Sequence, residues 1–335
     1  MNEMTHRRHF AAQTGLAILF AGLATLPPAT SPAQAQQNYP NRPVRLIIPF
    51  GPGGIADITS RLVAERLGER LGQRFVIENQ PGAGGVTAAR SALAAPPDGY
   101  TLALLTNGTA VSVPLFKSLP FDPRTDFVPV SSFAYFDFVF ATNAERRYQS
   151  LAEVIAAARE RPGALNIGTI NVGSSQNLSA ELFKSTAGVT MTIVPYRTTP
   201  EVLVALLRND IDLMIENFAA LKSPLAEGKI RAVATSGSAR SPVLPDAPTV
   251  KEAGVAEFEV NSWNGLFAPA RTPPEIVSVL NTALREVLGA PDLKQRFLEL
   301  GVEARASSPE EIGARLRGDI EKWTEVIARA GIQRQ

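Results

Sequence analysis

The chain contains no cysteine, and its only two histidines, His6 and His9, fall within the first ten of its 335 residues. Those ten residues open what reads as a signal peptide. Arg7 and Arg8 precede an apolar run from Leu16 to Leu26, and the small-residue triplet Ala33-Gln34-Ala35 follows. The run is about half the roughly 20 residues a bilayer-spanning helix needs, and prolines at 27, 28 and 32 interrupt it. Cleavage is therefore expected after Ala35, which leaves a mature chain with neither an imidazole nor a thiol. That absence excludes Ser-His-Asp and Cys-His catalysis, His and Cys zinc sites, and disulfides in an oxidising compartment. Carboxylates, lysines and tyrosines alone remain for acid–base chemistry, so a hydrolase or isomerase is a poor fit and the chain is read as a non-enzyme.

Excess charge is also missing. Loss of residues 1–35 removes two of the 33 basic and one of the 32 acidic side chains, leaving 31 of each. A formally neutral chain with no basic cluster gives nucleic acid no footprint. No later segment is apolar for long enough to cross a bilayer. No GxGxxG or Gly-Lys-Ser/Thr motif is present, no cofactor is called for, and no repeat or low-complexity tract appears outside the signal. Arg7-Arg8-His9-Phe10 loosely fits the twin-arginine pattern, so the export route stays open between that and general secretion.

What is present is an alternation of short apolar runs with amphipathic stretches, the pattern of βαβ units in an α/β protein. A strand is expected at Val44–Pro49, a turn at Phe50–Gly54, and a helix with apolar residues at Ile55, Ile58, Leu62, Leu67 and Leu71. A second unit has a strand at Phe75–Ile77, the loop Glu78–Gly85, a helix from about Val86 to Ala94 and a strand at Tyr100–Leu105. From Ser150, whose spacing to Glu153 is that of a capping box, a helix at Leu151–Glu160 opens a new set of units. Its strands are expected near 165–169, 190–194, 210–215 and 229–235. A strand-like stretch at Phe258–Ala268 then leads into a helical C-terminal third, whose last helix starts at Ser308-Pro309-Glu310-Glu311.

Gly53-Gly54 and Gly84-Gly85 each follow a strand and open a helix, where backbone N–H groups and the positive end of the helix dipole converge on an anion. Taken singly, each pair reads equally well as a tight βα turn. A third loop, Gly168 to Leu178, offers hydroxyls and amides without charge, or simply a helix N-cap. Asp57 falls near N3 of its helix with Arg61 four residues on, which favours capping and pairing over acid–base work. Trp263 and Trp323 read as core or hinge packing.

These stretches in order resemble the substrate receptors of tripartite tricarboxylate transporters, the Bug family. The likeness runs from Tyr39-Pro40-Asn41-Arg42-Pro43-Val44 through Pro49-Phe50-Gly51-Pro52-Gly53-Gly54 with Asp57, Glu78–Gly85 and Asp98-Gly99-Tyr100-Thr101-Leu102. It continues in Phe121-Asp122-Pro123 with Asp126-Phe127, Val194-Pro195-Tyr196, Pro245–Thr249, Trp263-Asn264-Gly265-Leu266 and Ala268-Pro269. The resemblance implies a two-lobed Venus-flytrap fold, each lobe a mixed, mainly parallel sheet flanked by helices. Crossings near 138 and 261 would divide it into lobe I (36–137 plus 262–335) and lobe II (138–261).

It further implies a monomeric periplasmic receptor that captures a di- or tricarboxylate, amino acid or aromatic acid and delivers it to integral-membrane transporter subunits. A sensor signalling to a membrane partner is the alternative. Expected contacts come from Phe50, Gly53, Gly54, Ile55 and Asp57 in the first loop and Gly82, Ala83, Gly84 and Gly85 in the second. Asn107, then Thr169, Ser174, Ser175 and Asn177, then Tyr196 and Arg197 complete the set. Two departures affect the second lobe. Asn177 stands where the family often has histidine, and Arg197-Thr198-Thr199-Pro200-Glu201 replaces a usual Lys-Gly followed by Pro-Ala.

Overall fold

A computed structural model describes residues 39–145, 148–329 and 331–335. The expected signal peptide lies outside the described residues. Strand β1 (Val44–Ile48) puts Val44, Leu46 and Ile48 into one core and Ile47 into a second on the opposite side, so both of its faces are covered. Helix α1 (Ile55–Leu71) starts after Gly54 and stops where Gly72 turns left-handed at φ 72° and its N–H donates to the Gly68 carbonyl. Its Val63, Ala64 and Leu67 join Leu46 and Ile48 in the first core. β2 (Phe75–Asn79) pairs parallel with β1. A 3₁₀ turn at Ala83–Gly85 then leads into α2 (Val86–Leu93), whose Ala88, Ala89 and Ala92 pack with Ile47. β3 (Thr101–Thr106) pairs parallel with the other edge of β1.

The next two elements have no counterpart among the sequence expectations. Helix α3 (Asn107–Leu115) begins directly after β3 and carries Gly108 and Pro114, which weaken its helical signature. Strand β4 (Phe127–Asn143) is 17 residues long, about 55 Å at 3.3 Å per residue. It hides because Phe133 and Ala134, then Phe138 to Ala141, are buried without a break, so no period of two appears. Its first part, Phe127–Asp137, pairs antiparallel with β9 (Asn261–Pro269), which in turn pairs with β3. From Phe138 onward its partners change to β7 (Leu213–Asn217) on one side and β8 (Ile230–Thr235) on the other.

β5 (Asn166–Ile170) lies parallel between β7 and β6 (Thr192–Tyr196), giving the order β2-β1-β3-β9-β4-β7-β5-β6 with β8 alongside β4. β7 starts three residues after the expected 210. Asn209 takes φ 65° and the Asp210 N–H donates to the Ala205 carbonyl, so the preceding helix exits through Asp210. The fold is thus α/β with two lobes on a curled mixed sheet, and β4 passes from the β9 side of that sheet to the β7 and β8 side. Helices α4 (Leu151–Glu160), α5 (Ser175–Ala187), α6 (Thr199–Leu207) and α7 (Phe218–Ala226) flank the β5–β8 side. Phe140, Phe183 and Phe258 meet edge-on in its core, and Phe138 meets Phe136 in the same way.

The chain then ends in α8 (Pro274–Gly289), α9 (Pro291–Leu298) and α10 (Pro309–Arg329). The start of α10 has the reciprocal cap its sequence implies. Ser308 Oγ accepts the Glu311 N–H at 3.1 Å, and Glu311 accepts the Ser308 N–H at 2.7 Å. Both tryptophans are buried and each donates its indole N–H, Trp263 to Asp319 and Trp323 to Asn107, which ties α10 to β9 and α3.

Candidate functional site

Four helices begin at one place because four strands end there. Helix α1 opens at Gly54, α3 at Thr106, α5 at Ser174 and α6 at Thr198. A pocket between them is lined by Gly54, Ile55, Ala56, Thr106, Ser175, Gln176, Thr198 and Thr199, with Phe50, Gly51, Phe136, Ile170, Arg197, Ser262 and Asn264. Each helix start carries partial positive charge. The only formally charged lining residue is Arg197, whose side chain is exposed and makes no ion pair among the described residues. No carboxylate lines the pocket. Its electrostatics suit an anion, and Phe50, Ile55, Phe136 and Ile170 supply apolar walls.

The loops from the two sides lie in contact. Gly84 N–H donates to the Val172 carbonyl at 3.1 Å, Ser112 Oγ to the Gly173 carbonyl at 3.2 Å, and Ser262 Oγ to Ser175 Oγ at 3.3 Å. A Cβ on Gly51 would stand 2.5 Å from Thr198 Cγ2, and one on Gly54 would stand 3.0 Å from Thr199 Oγ1. These glycines thus admit the opposite loop as well as any ligand. The remaining cavity is about 20 Å³, little more than one water requires. A ligand of several heavy atoms enters only when the loops separate.

The expected contact residues fall into three groups. Phe50, Gly54, Ile55, Ser175 and Arg197 line the main pocket. Gly82, Gly84, Gly85 and Ser174, again with Phe50, line an adjoining space of about 10 Å³. The N–H groups of its glycine pair are already used, Gly84 by Val172 and Gly85 by the Gly82 carbonyl. Asn171 Nδ2, in contrast, lines that space buried and without a partner among the described residues.

The rest, Gly53, Asp57, Ala83, Asn107, Thr169, Asn177 and Tyr196, lie outside both linings. Gly53 N–H is held by Asp57 Oδ2 at 3.1 Å, and Asp57 Oδ1 accepts from Arg61 at 2.9 Å and Asn79 at 3.0 Å. Burial pushes the Asp57 carboxyl up, but Arg61, the Gly53 N–H and Asn79 outweigh it and hold it below its ordinary range. Asn107 accepts from Trp323. Asn177 Oδ1 accepts the Gly173 N–H at 3.3 Å and its amide donates to Thr169, so it braces the third loop from behind. Tyr196 is half-buried beside the pocket, and burial and then the Asp210 charge raise its hydroxyl.

Gln176, Thr198, Thr199 and Ser262 line the pocket but were not among the expected contacts, although Gln176 lies in the third loop and Thr198 and Thr199 in the departure after Tyr196. Thr198 had a signal, since Thr198-Thr199-Pro200-Glu201 is a capping box, and it forms as one. Glu216 gave none. Wholly buried at the end of β7, it accepts from Gln176 and Thr199, both pocket residues.

The model of the tripartite tricarboxylate transporter family receptor matches residues 59–332. Among solved structures, Rpa4515 of R. palustris with adipate is 38% identical at a TM-score of 0.84, over 88% of this chain and 99% of that one. MatC from Rhodopseudomonas palustris with bound malate is 33% identical at 0.82, over 86% and 100%. The periplasmic binding protein BugD is 29% identical at 0.84, over 89% and 100%.

Proposed function

The chain belongs to the tripartite tricarboxylate transporter receptor family, a family of solute receptors and not of enzymes, and from that premise we propose that it is an exported periplasmic protein that captures a small carboxylate for a membrane transporter. The observation that carries the ligand class is the convergence of four helix N-termini and Arg197 on a pocket with no lining carboxylate. The adipate and malate bound by two similar proteins support the same chemistry. Residues 36–137 with 262–335 form lobe I in this reading, and 138–261 form lobe II. The change of β4 partners between Asp137 and Phe138 supports a hinge there.

In this mechanism the carboxylate first meets the N–H groups of α1, whose N-cap Gly54 offers no side-chain acceptor to compete. The lobes then close, bringing α5, α6 and Arg197 onto the anion while the apolar walls take its carbon body. The reading is tested by unfolding and refolding the mature protein to strip bound solute, then measuring thermal unfolding with mono-, di- and tricarboxylates, amino acids and neutral controls. A ligand at 100 times its dissociation constant adds about 2.7 kcal/mol, so a carboxylate should raise the midpoint clearly. A rise confined to neutral compounds would overturn the assignment.

A further inference from the structure

Glu216 is a carboxyl group shut off from solvent, with no cationic partner among the described residues. It is fully buried, and Oε1 accepts from Gln176 Nε2 at 2.9 Å, Asn217 N–H at 2.8 Å and Asn217 Nδ2 at 2.6 Å. Oε2 meets one group among the described residues, the Thr199 hydroxyl at 2.8 Å. The elements packed on it bring no countercharge. Asp137 on β4, Glu181 and Lys184 on α5, Glu201 on α6 and Lys222 on α7 make no hydrogen bond or ion pair with it, and neither does Arg197 in the pocket. Burial pushes the carboxyl up, and the hydrogen bonds offset only part of that rise.

Thr199 links this group to the ligand pocket. It is the first residue of α6, lines the pocket, and points its Oγ1 toward Gly54 across the cleft, 3.0 Å from where a Cβ there would lie. A hydroxyl has a single hydrogen. With Glu216 ionised, that hydrogen is spent on Oε2 and the lone pairs of Oγ1 are left for the pocket, where they repel an anion. With a proton on Oε2 the acid donates to Oγ1, and the hydroxyl hydrogen is released toward the pocket.

We propose that Glu216 is a positioning residue whose proton turns the Thr199 hydroxyl into a donor for the bound anion, so that ligand capture draws one proton from solvent onto Oε2. The inference rests on the carboxylate-receptor reading and adds proton linkage to it. Wherever free Glu216 is ionised, affinity should fall by up to about tenfold per pH unit.

Calorimetric titration of the refolded protein with adipate, in buffers of different ionisation heat from pH 5 to 9, reads both proton uptake and slope. Wild type should take up close to one proton at the alkaline end. Glu216→Gln, which keeps an acceptor oxygen and a donor nitrogen but cannot titrate, should show no linked uptake and a flat pH profile. Thr199→Val should lose affinity chiefly at acid pH, where wild type binds best. Adipate binding with no proton uptake in wild type would sink this inference and leave the receptor reading standing. Retention of the slope in Glu216→Gln would assign it to another group and also sink the inference. The carboxylic-acid carbonyl stretch in the infrared spectrum of ligand-free protein reads the proton directly. A band present in wild type and absent from Glu216→Gln supports the protonated state. No such band at acid pH overturns it, even if no carboxylate binds and the receptor reading itself has failed.

Discussion

At the residue scale the informative position is Gly51, which carries neither charge nor a donor side chain for the ligand. Its φ lies outside the left-handed region, so alanine fits its backbone, yet a Cβ would meet Thr198 Cγ2 at 2.5 Å and the Arg197 carbonyl at 3.1 Å. Both atoms belong to the opposite loop, so the strain appears only on closure. Overpacking of this kind costs about 1–3 kcal/mol. Gly51→Ala is therefore expected to weaken, by roughly 5- to 150-fold, binding of whichever carboxylate raises the thermal midpoint, while leaving the ligand-free midpoint within a few degrees of wild type. Unchanged affinity by calorimetry would show that this contact is not part of the bound state. Asp57 is legible at this scale because its helix position and Arg61 are local. The use of the Gly84 N–H by Val172 is not, because those residues are 88 positions apart.

Among elements, β4 decides the most, and Asp137 sits where its partners change. Its carboxyl packs against Gly237, where an added Cβ would overlap Oδ2, and no hydrogen-bond donor is found for it among the described residues. Burial first, and the Glu259 charge second, push it from 3.8 to about 6. A folded-state pKa above the unfolded one means that the group's contribution to stability is full below about pH 4 and is lost as pH rises through 6. Asp137→Asn should consequently gain roughly 1–3 kcal/mol relative to wild type between pH 4 and pH 8. Urea unfolding of both proteins at the two pH values checks this, and parallel profiles would remove Asp137 from the account. The length of β4 was illegible because burial on both faces erases the alternation that marks a half-exposed strand.

For the whole molecule, the consequence is closure. With the loops in contact and a cavity of about 20 Å³ between them, a receptor that admits a dicarboxylate must also populate a more open state. The stripped protein should therefore give a larger radius of gyration in solution scattering than the structure does, and a saturating carboxylate that raises its thermal midpoint should shrink it. An identical profile with and without bound ligand would rule out hinge closure as the means of capture.

Much of the architecture could be read from local rules. The βα units at 44–71 and 75–93, the Ser308 cap and the glycine-rich loops rest on residues near one another in the chain, and the family likeness on short stretches read in order. Residues 1–335 also determine by composition alone that cysteine chemistry has no part. Tertiary structure decided what depends on distant residues meeting. It joined β4 to β9 along its first part and to β7 and β8 along its second, brought four helix starts to one pocket, and sealed Glu216 behind Thr199 and Gln176. The physical reason is that burial and electrostatic environment are properties of the packed chain. A glutamate at a strand end looks the same in sequence whether it faces water or supports a ligand-binding hydroxyl.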